Sequence, residues 1–171
     1  MIFSNATADD VSELVELINA AYRTPGDTPG WTDERGLLEG TRTDSNSLAS
    51  ELKRSRYLIA RGRGDRRIVA CARIAPADDG AWYVASVAVE PARQGVGTGR
   101  LLLDELARQA RTANVRALRI TVINLREELI AWYERRGFVR TGETEPFPYD
   151  DPSVGRPTRG DLVLVKLEMH L

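Results

Sequence analysis

Hydrophobic positions along the chain follow first a helical period and then an alternating one. Between residues 9 and 23, Val11, Leu14, Val15, Ile18, Ala21 and Tyr22 recur at three- and four-residue spacings, which lays one apolar stripe along a helix. Thr7-x-x-Asp10 just before it has the form of a capping box with Asp in place of Glu, and Ile2 to Asn5 predicts a short strand ahead of that. The run Thr24-Pro25-Gly26-Asp27-Thr28-Pro29-Gly30 is turn chemistry throughout and ends the helix. Two short helices are expected over 32–40 and 45–54, interrupted by Gly36 and by the polar run 41–46.

From Tyr57 the period shortens to two. Strands are predicted over 57–60 and 68–72, joined by a glycine-containing turn at 61–66 into a hairpin, and a third over 82–89 in which the small residues Ala85, Ser86 and Ala88 are interspersed. Leu101, Leu102, Leu103, Leu106 and Ala110 then predict a helix to about residue 112, followed by a strand over 118–123. Strand, loop, helix, strand is a crossover unit, so these two strands should run parallel. A further helix over 126–136 carries Leu129, Ile130 and Tyr133 and stops at Gly137, and late strands are expected over 138–140 and 162–167. There is no internal repeat, and the Pro/Gly-rich stretch 145–160 is too short for a domain linker, so residues 1–171 are expected to form one α/β domain.

Composition narrows the function classes. Apolar residues are 42% of the chain and charged residues 29%, which supports a packed core and excludes wholesale disorder. Basic residues number 24 against 25 acids, a balance that argues against a nucleic-acid partner. Nearly all the basic residues are arginines, which reads as compositional bias and carries no function. Cys71 is the only cysteine, so no intrachain disulfide forms and a reducing, cytoplasmic setting is expected. The first residues lack the cationic start of a secretory signal, and no apolar run approaches the ~20 residues needed to span a bilayer, so no membrane partner is expected. The one histidine, His170, lies beside the C-terminal residue, which disfavours a Ser/His/Asp triad and a His/Cys metal cage; no metal is expected.

The stretch 87–103 holds the chemistry. Alternate glycines at 95, 97 and 99, directly before a helix, let backbone N–H groups converge on an anion at the positive end of the helix dipole. Glycines alone fit equally a strand-to-helix turn that binds nothing. A Walker loop is absent because no lysine is near, and a dinucleotide fingerprint is a weak match because Arg100 stands where its third glycine belongs. Val89-Glu90-Pro91-Ala92-Arg93-Gln94-Gly95-Val96-Gly97-Thr98-Gly99 resembles, at every signature position, the V-x-P-x-x-Q/R-G-x-G-x-G/A motif of the GNAT acetyltransferases, and the resemblance extends over almost the whole chain. It implies the GNAT acyl-CoA N-acyltransferase fold: α/β (α+β), with a mixed central sheet of about six to seven strands flanked by about four helices. It also implies acetyl-CoA as cosubstrate, its pyrophosphate on the amides of Gln94, Gly95, Val96, Gly97, Thr98 and Gly99, and its pantetheine paired with backbone groups of Val87 and Val89 as if it were an added strand.

Trp132-Tyr133-Glu134-Arg135-Arg136-Gly137-Phe138 is similar to the family helix pattern L-Y-E-K-x-G-F. The resemblance makes Tyr133 the general acid that protonates the departing CoA thiolate, whereas the helical pattern by itself makes it an aromatic of the buried stripe. Where the family often has a cofactor-contacting asparagine, seven residues before the tyrosine, this chain has Arg126, with Asn124 two residues earlier; both are candidates to touch CoA.

Acetyl transfer to an amine also needs a base and an oxyanion donor. The donor is assigned to the Val89 N–H. For the base, Glu34 is preferred to Glu90, which strand alternation places on one face with Trp82, Val84, Ser86 and Ala88 and which reads as structural. The segment 30–42 and the stretch 141–148 resemble an uncharacterised subgroup of small GNAT proteins, which suggests Trp31 and Phe147 as walls of an acceptor pocket and Arg42 as a partner for a substrate carboxylate. The plainer readings are a packing anchor for each aromatic and a surface charge for the arginine. Cys71, mid-strand among apolar residues, reads as structural, so transfer should be direct. The expected function is an N-acetyltransferase acting on a small amine. Alternatives are a protein N-terminal or lysine acetyltransferase and a CoA-binding module without catalysis, and a second copy of the chain stays open as a partner.

Overall fold

The computed structural model describes residues 1–23, 31–64 and 66–171; the turns expected over 24–30 and at Asp65 lie outside them. In chain order the strands are β1 (Ile2–Asn5), β2 (Leu38–Glu39), β3 (Arg56–Arg61), β4 (Ile68–Pro76), β5 (Trp82–Val89), β6 (Ala117–Ile123), β7 (Val139–Pro146), β8 (Arg156–Pro157) and β9 (Val163–His170). The α-helices are α1 (Val11–Arg23), α2 (Ser45–Leu52), α3 (Thr98–Thr112) and α4 (Glu127–Glu134). Seven strands form one mixed sheet in the order β1-β3-β4-β5-β6-β9-β7, and β2 pairs with β8 apart from it. Seven strands and four helices are the architecture expected above.

Strand alternation divides the core between the two faces of the sheet. On β3, Tyr57 and Ile59 pack with Leu14, Leu17, Ile18 and Ala21 of α1 and Leu48 of α2, while Leu58 and Ala60 join Leu102, Leu103 and Leu106 of α3 and Ile130 and Phe138 on the other face. All of these are nearly or wholly removed from water, as an interior strand with helices on both faces requires.

The alternation breaks once, in β5. Val84, Val87 and Val89 all pack on the α3 face although 84 and 87 differ by an odd number, and Ala88 packs on the α1 face. Ser86 lies between them with φ +47°, and the β4–β5 register shifts between Cys71 and Arg73, so a β-bulge inserts one residue and reverses the alternation beyond it. Glu90 therefore shares a face with Ala88 but not with Val84, contrary to the simple alternation expected from the sequence.

Beside the bulge the sheet opens. β5 and β6 are parallel and pair at Trp82↔Leu118 and Tyr83↔Arg119; beyond those positions β6 keeps to β9 and β5 keeps to β4. The two strands joined by the crossover helix thus diverge toward the end of β5 that leads into the glycine loop.

The region 32–40 is not a helix. It forms a turn and then β2, because its backbone is held by other parts of the chain. Thr32 Oγ1 donates to Ala21 O at 2.9 Å, Glu34 N donates to Tyr22 O at 3.1 Å, and the Arg126 guanidinium takes the carbonyls of Trp31 and Asp33 that a helix would use internally. The polar run before α2 proves to be its cap: Asp44 Oδ1 accepts from the N–H groups of Asn46 and Ser47 at 2.9 and 3.0 Å. β7 runs well past residue 140, with a register shift against β9 between Arg140 and Thr144, and the stretch 145–160 carries β8 and a short 3-10 turn.

Candidate active site

The divergence of β5 from β6 encloses a cavity of about 240 Å³. Tyr83, Val84, Val87, Ile120 and Val122 supply its strand walls, Tyr22 comes from α1, Leu129 and Tyr133 come from α4, and Glu34, Arg42 and Phe147 come from the connecting segments. Five of the residues singled out from the sequence, Tyr133, Glu34, Arg126, Arg42 and Phe147, plus Val87, meet here although they span more than half the chain.

Tyr133 projects from α4 into the core, 5% exposed, with its ring edge-on to Trp132 and Phe138 at 5.0 and 5.5 Å between centroids. Among the described residues its hydroxyl has no hydrogen-bond partner, and the side chain lines the cavity. Burial pushes its phenol well above the ordinary tyrosine value, and neighbouring Tyr22 pushes in the same direction. The residue is thus both a core aromatic and a neutral O–H donor at the cavity wall.

Tyr22 was not singled out as a site residue. Its hydroxyl donates to Val87 O at 3.0 Å, beside the bulge, and burial raises its phenol as well. Its place in the α1 stripe hid it, since spacing marks a buried face but not which member reaches a strand carbonyl. The Val87 carbonyl, expected to face pantetheine, is engaged by Tyr22 in this structure. The Val89 carbonyl is engaged by Gln94 Nε2 at 3.0 Å, and Gln94 Oε1 accepts the Trp31 N–H at 3.1 Å. Gln94 therefore contributes its side chain to the junction of strand, loop and the 31–34 segment.

The loop itself is open. Gly95 and Gly97 adopt φ +76° and +93°, a region costly for side-chain-bearing residues, and a Cβ on either would meet nothing within 4 Å. Gly97 caps α3, and Val96 is 76% exposed. Left-handed glycines with unobstructed backbone at a fifteen-residue helix's N-terminus suit a diphosphate, so the residues present fit the CoA pyrophosphate. Gly99 answers to a different demand: a Cβ there would lie 3.1 Å from the Trp132 ring and 3.3 Å from the Trp31 ring. Thr98 is buried as the helix begins.

Those two rings define the flank of the loop. Trp31 stacks on Trp132 with centroids 4.2 Å apart, and the Arg136 guanidinium carbon lies 3.6 Å from the Trp132 centroid. Trp31 does not line the cavity; it packs over the start of α3, which is the packing-anchor reading of this residue. Phe147, 6% exposed, packs with Leu38, Ile123 and Leu162 and also lines the cavity.

Of the pair beside α4, the structure separates Asn124 from Arg126. Asn124 Oδ1 accepts the Val163 N–H at 3.1 Å and its Nδ2 donates to Asp161 O at 3.2 Å, so its amide ties β6 to the start of β9 and does not line the cavity. Arg126 does line it while bridging from α4 to Trp31 and Asp33. Glu34 Oε2 accepts Arg23 Nη1 at 2.7 Å in a pair that is 14% and 8% exposed. Glu90 pairs with Arg93 at 2.9 Å near the surface. Cys71 is wholly buried, its thiol pushed up to about 12 by burial. Among the described residues no cluster of His, Cys, Asp and Glu is placed to hold a metal ion, and no helix is long and apolar enough to cross a membrane.

A family model described as the acetyltransferase (GNAT) family matches residues 12–138, and the chain belongs to that family. Its fold is shared by the ribosomal-protein-alanine N-acetyltransferase of Brucella melitensis, 23% identical with both chains covered in full and a TM-score of 0.72. The ribosomal-protein-S18-alanine N-acetyltransferase of Escherichia coli is 19% identical, with 99% of this chain and 92% of that one covered and a TM-score of 0.71. A Bacillus anthracis protein bearing the name of a streptothricin acetyltransferase, solved in complex with acetyl coenzyme A, is 18% identical over 69% of this chain and 63% of that one, with a TM-score of 0.57. A comparison with curated protein sequences finds no match.

Proposed function

We propose that the chain is an acetyl-CoA-dependent N-acetyltransferase that carries acetyl directly to the primary amine of a small molecule, with Tyr133 as general acid. The observation that carries this reading is the Tyr133 hydroxyl: neutral, without an internal partner among the described residues, and facing a cavity of about 240 Å³ at the divergence of β5 and β6. A phenol that only packed would serve as well without its oxygen, and an unpartnered hydroxyl at a cavity wall has desolvation to recover from a ligand.

Acetyl-CoA supplies an acetyl group activated as a thioester. The amine nitrogen bonds to the carbonyl carbon, the C–S bond breaks, Tyr133 Oη delivers its proton to the departing sulfur, and the proton lost from the amine leaves through Glu34 or water. The products are the N-acetylated amine and CoA, and Tyr133 recovers its proton from solvent. The amides of 94–99 bind the diphosphate, and Arg126 with Asp33 and Trp31 holds the 31–34 segment across the site. Cys71 takes no part, because its buried thiol stays protonated.

The test is release of CoA thiol over a panel of small amines, with a peptide bearing N-terminal alanine included because two proteins of the same fold carry that name. Their 23% and 19% identity speaks for the fold and not for the acceptor. Turnover of small amines in preference to the peptide supports the reading; turnover of the peptide alone replaces it with protein N-terminal acetylation, and no turnover with CoA still bound leaves a non-catalytic CoA module.

A further inference from the structure

The charged side chains that line the cavity do not balance. Arg42, Arg73 and Arg126 line it, whereas the one acid among the described residues that does, Glu34, is already engaged by Arg23 at 2.7 Å. Arg73 has an acid outside the cavity in Glu51, at 3.7 Å, and Arg126 is committed to two main-chain carbonyls. Arg42 has neither kind of partner among the described residues. Its guanidinium lies over the Tyr22 ring, 5.5 Å from the centroid, and meets no carboxylate or carbonyl of the described residues.

The chain nevertheless holds this residue firmly. Asn19 Oδ1 accepts the N–H of Arg42 at 2.7 Å and that of Thr43 at 3.2 Å, and Asn19 Nδ2 donates to Thr43 O at 2.9 Å. One side chain of α1 thus pins the loop at its two successive residues. Tyr22, on which the guanidinium rests, is itself tied to Val87 O. Arg42 is thus a cation anchored through its backbone, set over a fixed ring and without a carboxylate partner among the described residues.

We propose that the acceptor is an amino acid, an amine that carries its own carboxylate, and that Arg42 binds that carboxylate. This rests on the transferase reading above and names its substrate class. The guanidinium fork matches a carboxylate in two parallel hydrogen bonds, and enclosure strengthens the pairing by lowering the local dielectric. The excess of guanidiniums repels a bare alkylammonium, so an amine without an acid is selected against electrostatically. The same positive field favours the neutral form of the bound amine, which is the form that attacks a thioester. A cavity of about 240 Å³ suits a molecule of this size, being below the ~300 Å³ where pockets for drug-sized ligands begin. A peptide N-terminus fails the requirement, because its carboxylate stands at the far end of the chain.

The experiment is calorimetric titration of the CoA-saturated protein with matched sets: the common α-amino acids and short ω-amino acids, the carboxamide of each, and the amine lacking the carboxylate. At least one acid is expected to bind ~10- to 100-fold tighter than its amide, a difference that disappears in Arg42→Gln and is partly restored in Arg42→Lys, with CoA affinity unchanged in both. Equal binding of acid and amide overturns the inference, as does a preference that survives Arg42→Gln, or a panel in which no carboxylate-bearing amine binds. Parallel thiol release keeps the two readings apart. Acid-selective binding without CoA release upholds the receptor and overturns the transfer; release that ignores the carboxylate does the reverse.

Discussion

At the scale of single residues, Tyr133 is a core aromatic that also lines the cavity, the position the proposed general-acid role requires. It is packed between Trp132 and Phe138, yet its oxygen faces the cavity unpartnered among the described residues. Tyr133→Phe keeps the packing and removes the donor, so acetyl-CoA affinity should be preserved while the single-turnover rate falls ~10²–10⁴-fold; an unchanged rate would leave the hydroxyl without a chemical role. Because burial raises this phenol well above its ordinary value, it remains protonated through the range where an exposed tyrosine ionises. The rate should therefore show no alkaline loss attributable to Tyr133 below about pH 10, which a pH–rate profile of wild type against the variant checks. Gly99 is the second case. Its α3 position permits a side chain by backbone angle, but Trp132 and Trp31 occupy the space, so Gly99→Ala should destabilise by ~1–3 kcal/mol. Thermal unfolding would read this directly, and an unchanged midpoint would show that the two rings yield.

At the scale of elements, the loop that opens α3 divides its glycines between two demands. Gly97→Val at φ +93° strains the backbone and places branched carbon where only open space stands, so it should weaken CoA binding at least tenfold while the tryptophan stack and the core remain. Unchanged CoA affinity in a folded variant would move the diphosphate site elsewhere. α2 illustrates capping. Asp44 satisfies two of its orphan N–H groups, and those hydrogen bonds hold its carboxyl below the usual carboxylate range. Asp44→Ala should lower stability at neutral pH, because the helix loses its N-terminal cap. With the folded value depressed, that contribution is present above the unfolded value of about 3.9 and fades as pH falls through the folded one. Denaturant unfolding of both proteins at neutral and acid pH checks the sign: the gap between them should close in acid.

At the scale of the whole molecule, Arg126 ties α4 to the 31–34 segment across the mouth of the splayed sheet, and Arg23 gathers Gly40 O, Tyr22 O and Glu34 around the end of α1. Both guanidiniums bind main-chain carbonyls, so they stitch together segments with no regular structure of their own. Arg126→Leu should therefore release amide protection in residues 31–39 by hydrogen exchange while the protection of β3, β4 and α3 stays as it was. Protection lost evenly over the molecule, or nowhere, would contradict that local role.

The sequence by itself determined the elements whose period is strong, namely α1, the hairpin β3–β4, the crossover β5–α3–β6 and α4. It also determined the glycine loop, because both left-handed glycines and helix start are local properties of consecutive residues. Tertiary structure alone decided the rest. The 32–40 segment has the pattern of a helix, but the Asp33 carbonyl and that of Trp31 just before it are taken by Arg126, and the Glu34 N–H donates to the Tyr22 carbonyl, groups remote in sequence that no window contains. The bulge at Ser86 reversed the faces of β5 through pairing with β4, which alternation within one strand does not show. Tyr22 and Asn19 escaped notice for the same reason: each sits in the helical register of α1 and acquires its role only from the strand carbonyl or loop brought against it. The charge balance around Arg42 likewise exists only in the fold, since it counts neighbours by distance and not by position along the chain.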